Sequence, residues 1–504
     1  MLSILSEIFT LNNILMMFIG VAAGIIIGVL PGLGTNFAIT VLLTMTFGMN
    51  EYAGIYLLLG AYCGAMYGGS ITAILINTPG TTGAVPTTFD GYPLAQQGRA
   101  GDALNTALYA SVVGGLVSAF ALMFFAPQLA KVVLLIASPE YFCLCIFGVC
   151  AAISIAGDNK LKGIISAMIG LLVASVGMDP HFGTQRFVFG NYKLTSGFKA
   201  ATCMLGAYAL STILIKCREV YLTGGEQANG AIEFKKSNMK FIDIFKHWKT
   251  LIRSSVIGVI IGAIPGTGGA ISAMLSYNEA RRASKHPERY GHGEIDGVAA
   301  SECGNNAVTG ATLIPLLTMG IPGDSCMAIL LGALTMQGIT PGTALFKEGS
   351  IWVYAIMGGL IIINILMLIQ GKVFIKLFAN CARIPQTILM PCILVVCCMG
   401  AFALGGGSTY EIYAMLGFGV LGYLMKRFGF PVPPMTIGIV LGFLMEQNLR
   451  RTFTVYNDDW TVFFRRPVCI VILFMSVLFM FLPQIKAMID KNRKKKAAVA
   501  GAAE

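Results

Sequence analysis

The residues with chemistry to offer are short hydroxyls, amides and a few acids set in an otherwise apolar chain. The densest cluster is Ser301-Glu302-Cys303-Gly304-Asn305-Asn306-Ala307. Adjacent amides in apolar surroundings are costly unless they bind something, and an acid inside an apolar span is a functional candidate by default. Thr35 and Asn36 follow a Pro-Gly break, Ser70, Asn77, Thr81 and Thr82 flank a second, Gly266 and Thr267 form a third, and Asp324 and Ser325 follow a fourth. Such groups suit a dehydrated carboxylate held at helix N-termini, where N–H groups point outward and the dipole is positive. Carbonyls freed where helices break suit a bound cation. The expected substrate set is Ser70, Asn77, Thr81, Thr82, Asn305, Asn306 and Ser325. The expected ion set is Gly32, Thr35, Asn36, Gly266, Thr267, Glu302 and Asp324, with Na+ favoured over H+ because neutral oxygens outnumber ionisable groups. Two plainer readings compete: Gly, Ser and Thr also serve close packing in membrane helices, and Asp324 also fits the cap of the following helix.

The elements that position these residues are apolar helices broken at matching places. Gly28-Val29-Leu30-Pro31-Gly32-Leu33-Gly34 is echoed by Gly262-Ala263-Ile264-Pro265-Gly266-Thr267-Gly268. Thr78-Pro79-Gly80 is likewise echoed by Ile321-Pro322-Gly323. Pro31 and Pro265 lie 234 positions apart, and Pro79 and Pro322 lie 243 apart, so the chain reads as an internal duplication. Proline and glycine break a helix interior. In hydrocarbon such a break survives only where protein or a water-filled cavity satisfies the freed backbone. Matching breaks in two halves point to a transporter's substrate site.

The chain has 504 residues, of which 56% are hydrophobic and 12% charged, about half the charged share of a soluble domain. Glu51 is the one charged residue between Ile8 and Phe89. This is an all-α, polytopic membrane protein with two repeats containing Pro-Gly-broken helices and re-entrant hairpins. Apolar spans fall at about 12–30, 34–48, 53–78, 103–128, 131–156, 160–178, 197–215, 251–264, 268–280, 298–321, 325–338, 351–371, 385–404, 408–425, 433–445 and 464–484. The shorter ones (34–48, 268–280, 325–338, 433–445) read as half-helices, which leaves roughly ten to thirteen crossings. The expected division is a first repeat at 1–215, a polar linker at 216–250, a second repeat at 251–485 and a basic tail at 486–504.

Of the net charge of +11, the segment 216–253 supplies +4 and the tail 486–496 supplies +5. Both flank apolar spans, so the positive-inside rule accounts for them and nucleic acid is not needed. Phe241–Lys249 alternates apolar and basic residues and reads as an amphipathic helix on the cytoplasmic face. The polar run 89–103 leads into a helix with Asp102 placed as its cap, and Arg99 reads as a loop residue. The thirteen cysteines lie mostly in apolar runs, form no CxxC pair and sit at no zinc-ligand spacing, so packing is their expected role. No phosphate-binding loop is present. The four histidines lie in polar loops or at span ends, away from any nucleophile, so neither an enzyme nor a resident cofactor is expected. The N-terminus lacks the basic region of a cleaved signal peptide.

The chain resembles the large membrane subunit of the tripartite tricarboxylate transporters, the TctA type. The likeness rests on Leu30-Pro31-Gly32-Leu33-Gly34, Tyr67-Gly68-Gly69-Ser70-Ile71-Thr72-Ala73-Ile74-Leu75, Pro79-Gly80-Thr81 and Asp90-Gly91-Tyr92-Pro93-Leu94-Ala95. In the second half it rests on Pro265-Gly266-Thr267-Gly268, Asn305-Asn306-Ala307, Ile314-Pro315-Leu316-Leu317, Gly320-Ile321-Pro322-Gly323 and Gly338-Ile339-Thr340-Pro341-Gly342. It runs from about residue 15 to about 445. Ser301-Glu302-Cys303-Gly304 departs from the small residues, such as alanine, expected before the Asn pair. The resemblance implies a multi-pass secondary transporter of the bacterial inner membrane with about a dozen helices, working with a small four-helix membrane subunit and a periplasmic solute-binding protein. It also implies ion-coupled uptake of citrate-like di- and tricarboxylates. A channel or the permease subunit of an ATP-driven system for small organic anions is the competing reading.

The charge pattern predicts that the loop 216–250 and the tail beyond Lys486 both face the cytoplasm. In a chain freed of native cysteines, Asn229→Cys and Ala498→Cys should react with an impermeant thiol reagent only after the cells are opened. Labelling of either in intact cells would reverse the topology.

Overall fold

A computed structural model describes residues 9–133, 136–155, 159–179, 183–223, 237, 239–339, 341–342, 345–346, 350–381, 384–478 and 480. Most of the linker from 224 to 238 and the tail beyond 480 lie outside the described residues, so their expected placement is carried by charge alone.

In chain order the helices are α1 (Leu11–Val29), α2 (Gly34–Leu43), α3 (Glu51–Ile76), α4 (Val85–Gln96) and α5 (Ala100–Val133). Then come α6 (Ser138–Ile155), α7 (Lys160–Ala174) and a two-strand antiparallel hairpin, β1 (Gly177–Met178) with β2 (Gln185–Arg186). α8 (Ala200–Leu222) is followed by α9 (Trp248–Ala263), α10 (Gly268–Ala283), α11 (Ile295–Asn306), α12 (Val308–Ala311), α13 (Leu313–Met319) and α14 (Ser325–Met336). The last are α15 (Ser350–Val373), α16 (Ile375–Cys381), α17 (Gln386–Leu404), α18 (Tyr410–Arg427), α19 (Val432–Tyr456), α20 (Val462–Arg465) and α21 (Pro467–Leu478). The protein is all-α apart from the hairpin. Among the described residues, six helices are long and apolar enough to cross a membrane: α1, α3, α5, α8, α15 and α17. Other apolar spans are shorter, interrupted or, like α19, carry charged residues, which is why the count among the described residues falls below ten to thirteen.

The chain packs as two compact units, one of residues 1–135 with 198–428 and one of 136–197 with 429–504. The larger unit draws on both sequence halves. Its core pair is α1 against α3. Gly20, Gly24 and Gly28 lie one turn apart on α1, and Gly60, Gly64 and Gly68 do the same on α3. A Cβ at Gly24 would stand 2.4 Å from the Ala61 carbonyl oxygen, and one at Gly64 would stand 2.4 Å from that of Val21. The backbones therefore touch, as small residues permit in lipid. In the smaller unit, Arg186 of β2 grips Glu446 through two nitrogens, at 2.6 and 3.0 Å. Arg450 donates to Asp179 at 2.6 Å and to Glu446 at 3.0 Å.

Several spans differ from their sequence outline. The span 298–321 is three short helices, because Ala307 and Thr312 interrupt it. The expected half-helix at 433–445 continues to Tyr456: the apolar run stops, but Glu446 and Arg450 pair one turn apart and carry the helix on. The polar run 89–103 hides α4, and Asp102 lies inside the first turn of α5 rather than capping it. Phe241–His247 is a 3-10 helix that runs directly into α9.

Gly24→Val should lower stability by about 1–3 kcal/mol or prevent assembly, because the new side chain has only Ala61 backbone to enter. Gly417→Ala on α18, where nothing lies within 4 Å, should be neutral. Thermal unfolding in detergent measures both, and equal midpoints would show that α1 and α3 yield freely.

Candidate functional site

The two breaks share one backbone design. After α1, the Leu30 N–H donates back to the Ile27 carbonyl at 3.1 Å, and Gly32 and Gly34 both take φ of 76°. After α9, Ile264 donates to the Ile261 carbonyl at 3.1 Å, and Gly266 and Gly268 take φ of 86° and 70°. These left-handed positions explain the Pro-Gly-x-Gly pattern, since a Cβ would be strained at each. Each break then opens a new helix, α2 or α10.

The second pair of Pro-Gly loops closes on the first. Asn77 ends α3 as an exposed left-handed cap with φ of 54°, and the chain turns back so that Gly80 donates to the Gly69 carbonyl at 3.1 Å. Gly80 also lies against Gly28. In the other half, Gly320 ends α13 in the left-handed region, and the Gly323 carbonyl accepts from the Gly266 N–H at 2.6 Å. The Thr267 hydroxyl donates to the carbonyls of Ile261 and of Ile264, the latter at 2.9 Å. Thr267 thus satisfies the end of α9.

Across the halves the contacts are reciprocal. Asn36, at the start of α2, donates to Ser325 Oγ at 2.9 Å and accepts from Cys326 Sγ at 2.8 Å, both at the start of α14. The Thr82–Ala84 turn packs on α10 just after the second break. Asn305 sits between that turn and α10: Cβ atoms on Gly83 and Gly269 would lie 2.1 and 2.5 Å from its Oδ1. Met66 reaches the same place and accepts the Thr35 hydroxyl at 3.7 Å.

This centre is polar and undersatisfied. Asn305 is fully buried, and neither its Oδ1 nor its Nδ2 has a protein partner. Thr81 Oγ1 and Asn306 Oδ1 are buried and unpaired as well. Each unmet buried group costs about 1–3 kcal/mol. Glu302, one turn before Asn306, is also fully buried and accepts from Ser70 at 2.5 Å, Ser111 at 3.0 Å and Thr87. Asn306 Nδ2 donates to Ser111 Oγ at 2.9 Å. Asp324 is occupied, accepting from the Met327 N–H at 2.8 Å and from the Tyr62 hydroxyl at 2.9 Å, so of its two readings the capping contact is present.

The structure therefore gathers Asn305, Asn306, Ser70 and Glu302 around α11, with Thr81 against Gly69 of α3 and Thr35 linked through Met66. Asn36 and Ser325 form a second point of contact. Thr82 and Gly32 are exposed and Gly266 is buried. Sequence reasoning missed Gly83 and Gly269, which make room for Asn305, and Thr87 and Ser111, which hold Glu302. The Gly268-Gly269 pair was a visible signal for one of them. The hydroxyls were not, because each lies more than 190 positions from its partner.

Broken apolar helices closing around a buried, unpaired Asn305 amide mark a polytopic membrane protein. The sequence matches the tripartite tricarboxylate transporter TctA family over residues 14–437, and the chain belongs to that family. Its members are the large subunit of a tripartite system, so partner subunits are part of its working form. It is similar to a protein of Agrobacterium vitis described as an uncharacterized 52.8 kDa protein in the TAR-I ttuC' 3' region, at 36% identity over 485 residues and 95% of each chain. A second protein of that organism, from the TAR-II ttuC' 3' region, is 34% identical over 237 residues, covering 46% of this chain and 98% of the relative. No solved structure matches.

The helix that carries the site is anchored at its N-terminal end. His247 Nδ1 lies 2.8 Å from Asp296 Oδ1, which also accepts from Thr250 at 2.9 Å. The hydrogen bond to Asp296, working against burial, raises His247 above the ordinary imidazole range. Burial pushes Asp296 up, but the bonds and charge of His247 with the Thr250 bond outweigh it and hold the carboxyl low. The raised His247 stabilises below its unfolded value and is lost as pH rises through its folded value. The lowered Asp296 stabilises above its unfolded value and is lost as pH falls through its folded value. The thermal midpoint of His247→Gln should thus fall furthest below wild type near about pH 5.5 and converge with it near about pH 9. A deficit that is constant with pH would mean the pair carries no charge.

Proposed function

We propose that this chain is the transport subunit of a binding-protein-dependent secondary transporter that imports citrate-like di- and tricarboxylates across the bacterial inner membrane. A small four-helix membrane subunit and a periplasmic solute-binding protein are its partners. The reading rests on one observation: a fully buried Asn305 whose amide has no protein partner, seated against the first turn of α10. The α10 N-terminus offers unpaired N–H groups and a positive dipole end. With Asn305 Nδ2 and the Thr81 hydroxyl, it makes a neutral donor set for a carboxylate. Such a set replaces hydration without a fixed counter-charge, so the anion is free to leave on the other side.

The reciprocal contacts, Asn36 with Ser325 and the Thr82–Ala84 turn with Asn305 and α10, support two repeats related by approximate two-fold symmetry. In this reading Ser325 and Asn36 form the counterpart of the Asn305 centre. Substrate and coupling ion divide between the two, and Na+ at carbonyls around the breaks is the favoured ion.

Uptake of radiolabelled citrate by cells expressing the chain with its partner subunits tests this. Asn305→Ala and Asn306→Ala should each reduce uptake about 10- to 100-fold, as loss of a hydrogen bond to a charged group implies, with membrane levels unchanged. Wild-type rates in both would move the site elsewhere. Uptake that persists without Na+ and follows only a pH gradient would remove Na+ as coupling ion.

A further inference from the structure

Resting on the transport reading, we propose that Glu302 is a proton-binding site, loaded and unloaded during the transport cycle, with a line of hydroxyls that reverses its bonds as the proton comes and goes.

The geometry points to this through a count of hydrogens. Glu302 Oε1 meets the hydroxyls of Ser70 and Thr87, and Oε2 meets that of Ser111. Ser111 accepts from Asn306 Nδ2 and so donates to Glu302. Thr87 has two close oxygen neighbours, Glu302 Oε1 and Ser301 Oγ, the second at 3.0 Å. Ser301 in turn reaches the carbonyls of Gly297 and Val298 at 3.0 and 3.1 Å. Each hydroxyl has one hydrogen. If Ser301 donates to its own helix, Thr87 cannot serve both Ser301 and Glu302. A proton on Glu302 supplies the missing hydrogen: Glu302 donates to Thr87, Thr87 to Ser301, and Ser301 to Gly297. Without that proton the line reverses, and Ser301 donates to Thr87 and Thr87 to the carboxylate. The same atoms hold both states, and only an O–H bond on Glu302 forms or breaks, with the proton exchanged with water.

No fixed cation competes for this role. Among the described residues Glu302 forms no ion pair with Lys, Arg or His. The titratable groups nearest it on the packed elements are Tyr67 of α3, Asp90 of α4, Tyr109 of α5, Tyr277 of α10 and Cys303 beside it, while Lys249 and Arg253 of α9, which also packs on α11, are exposed. At the foot of α11, Asp296 is paired with His247. The Tyr67 hydroxyl is buried and without a hydrogen-bond partner. Asp90 is committed to the N–H groups of Gly291, Gly293 and Glu294. An uncompensated carboxylate in such surroundings is costly, and a proton is the smallest ligand that removes the charge.

The test is vibrational and needs no substrate. The purified transport complex in lipid nanodiscs is titrated between about pH 5 and pH 9 while the C=O stretch of protonated carboxylic acids is followed by infrared difference spectroscopy. Wild type should show an acid band that titrates in this range and is missing from Glu302→Gln. Thr87→Val, which removes one hydroxyl partner but keeps the carboxyl, should shift the midpoint of that band. Identical spectra for wild type and Glu302→Gln, or an unmoved midpoint in Thr87→Val, would overturn the proposal. In the uptake assay, wild-type citrate transport should depend on external pH and Glu302→Gln should not; a retained pH profile in Glu302→Gln overturns the coupling role. Absence of citrate uptake by wild type would instead count against the proposed function, while the infrared titration would still decide whether Glu302 binds a proton.

Discussion

A helix broken inside a membrane must find partners for the backbone groups it frees, and lipid supplies none. The larger unit is organised around meeting this demand. Gly266 donates to Gly323, Gly80 donates to Gly69, and the Thr267 hydroxyl takes up carbonyls at the end of α9. Each bond ties a broken element to a neighbour, so the loops are stitched to the helices around them. Asp324 belongs to the same system, since its carboxylate caps α14 immediately after a Pro-Gly loop. Residues that look like ligands in the sequence are here spent on the breaks themselves. What remains unspent, chiefly the amide of Asn305, stands out for that reason.

Close approach is the second requirement, and glycine meets it. The loop at Gly80 reaches the Gly28 carbonyl of α1 only because Gly80 lacks a side chain, and Asn305 finds space only because Gly83 and Gly269 do. The same residue type thus serves two ends, tight packing of α1 on α3 and vacancy around a buried amide. A packing glycine is one whose imagined Cβ strikes backbone, as at Gly24. Those beside Asn305 would strike its polar side chain instead. That difference separates structural glycines from those that shape the site.

The breaks were legible in the sequence because proline and glycine act locally: a left-handed position demands glycine whatever surrounds it. The α1 and α3 spans were legible for a similar reason, as long apolar runs have one solution in lipid. α4 was hidden because Pro93 and Gly91 read as a loop, whereas Asp90 turns inward and fixes three backbone N–H groups of a distant segment. The 298–321 span read as continuous because its interruption at Ala307 uses no proline or glycine. Asn305, Asn306 and Glu302 stood out singly by polarity. Their arrangement was not readable, since which hydroxyl meets Glu302 is settled by contacts between α3, α4, α5 and α11.

Glu302 and Asn306 lie one turn apart on α11, and Ser111 joins them: Asn306 donates to Ser111 and Ser111 to the carboxyl. Asn305 immediately precedes Asn306, and α11 ends directly after them, with Ala307 as its cap. A change in hydrogen bonding at Glu302 therefore acts on the last turn of a helix that already terminates, where backbone is easiest to shift. A charged Glu302 draws the Ser111 hydroxyl, and through it the Asn306 amide, more strongly than a protonated one does, while the bonds of Thr87 and Ser301 reverse. The Asn305 amide has no bond of its own to hold it, so its orientation follows the turn. On the proposed reading, a proton site and a carboxylate site so arranged need no long pathway between them, because a single short helix end would carry both.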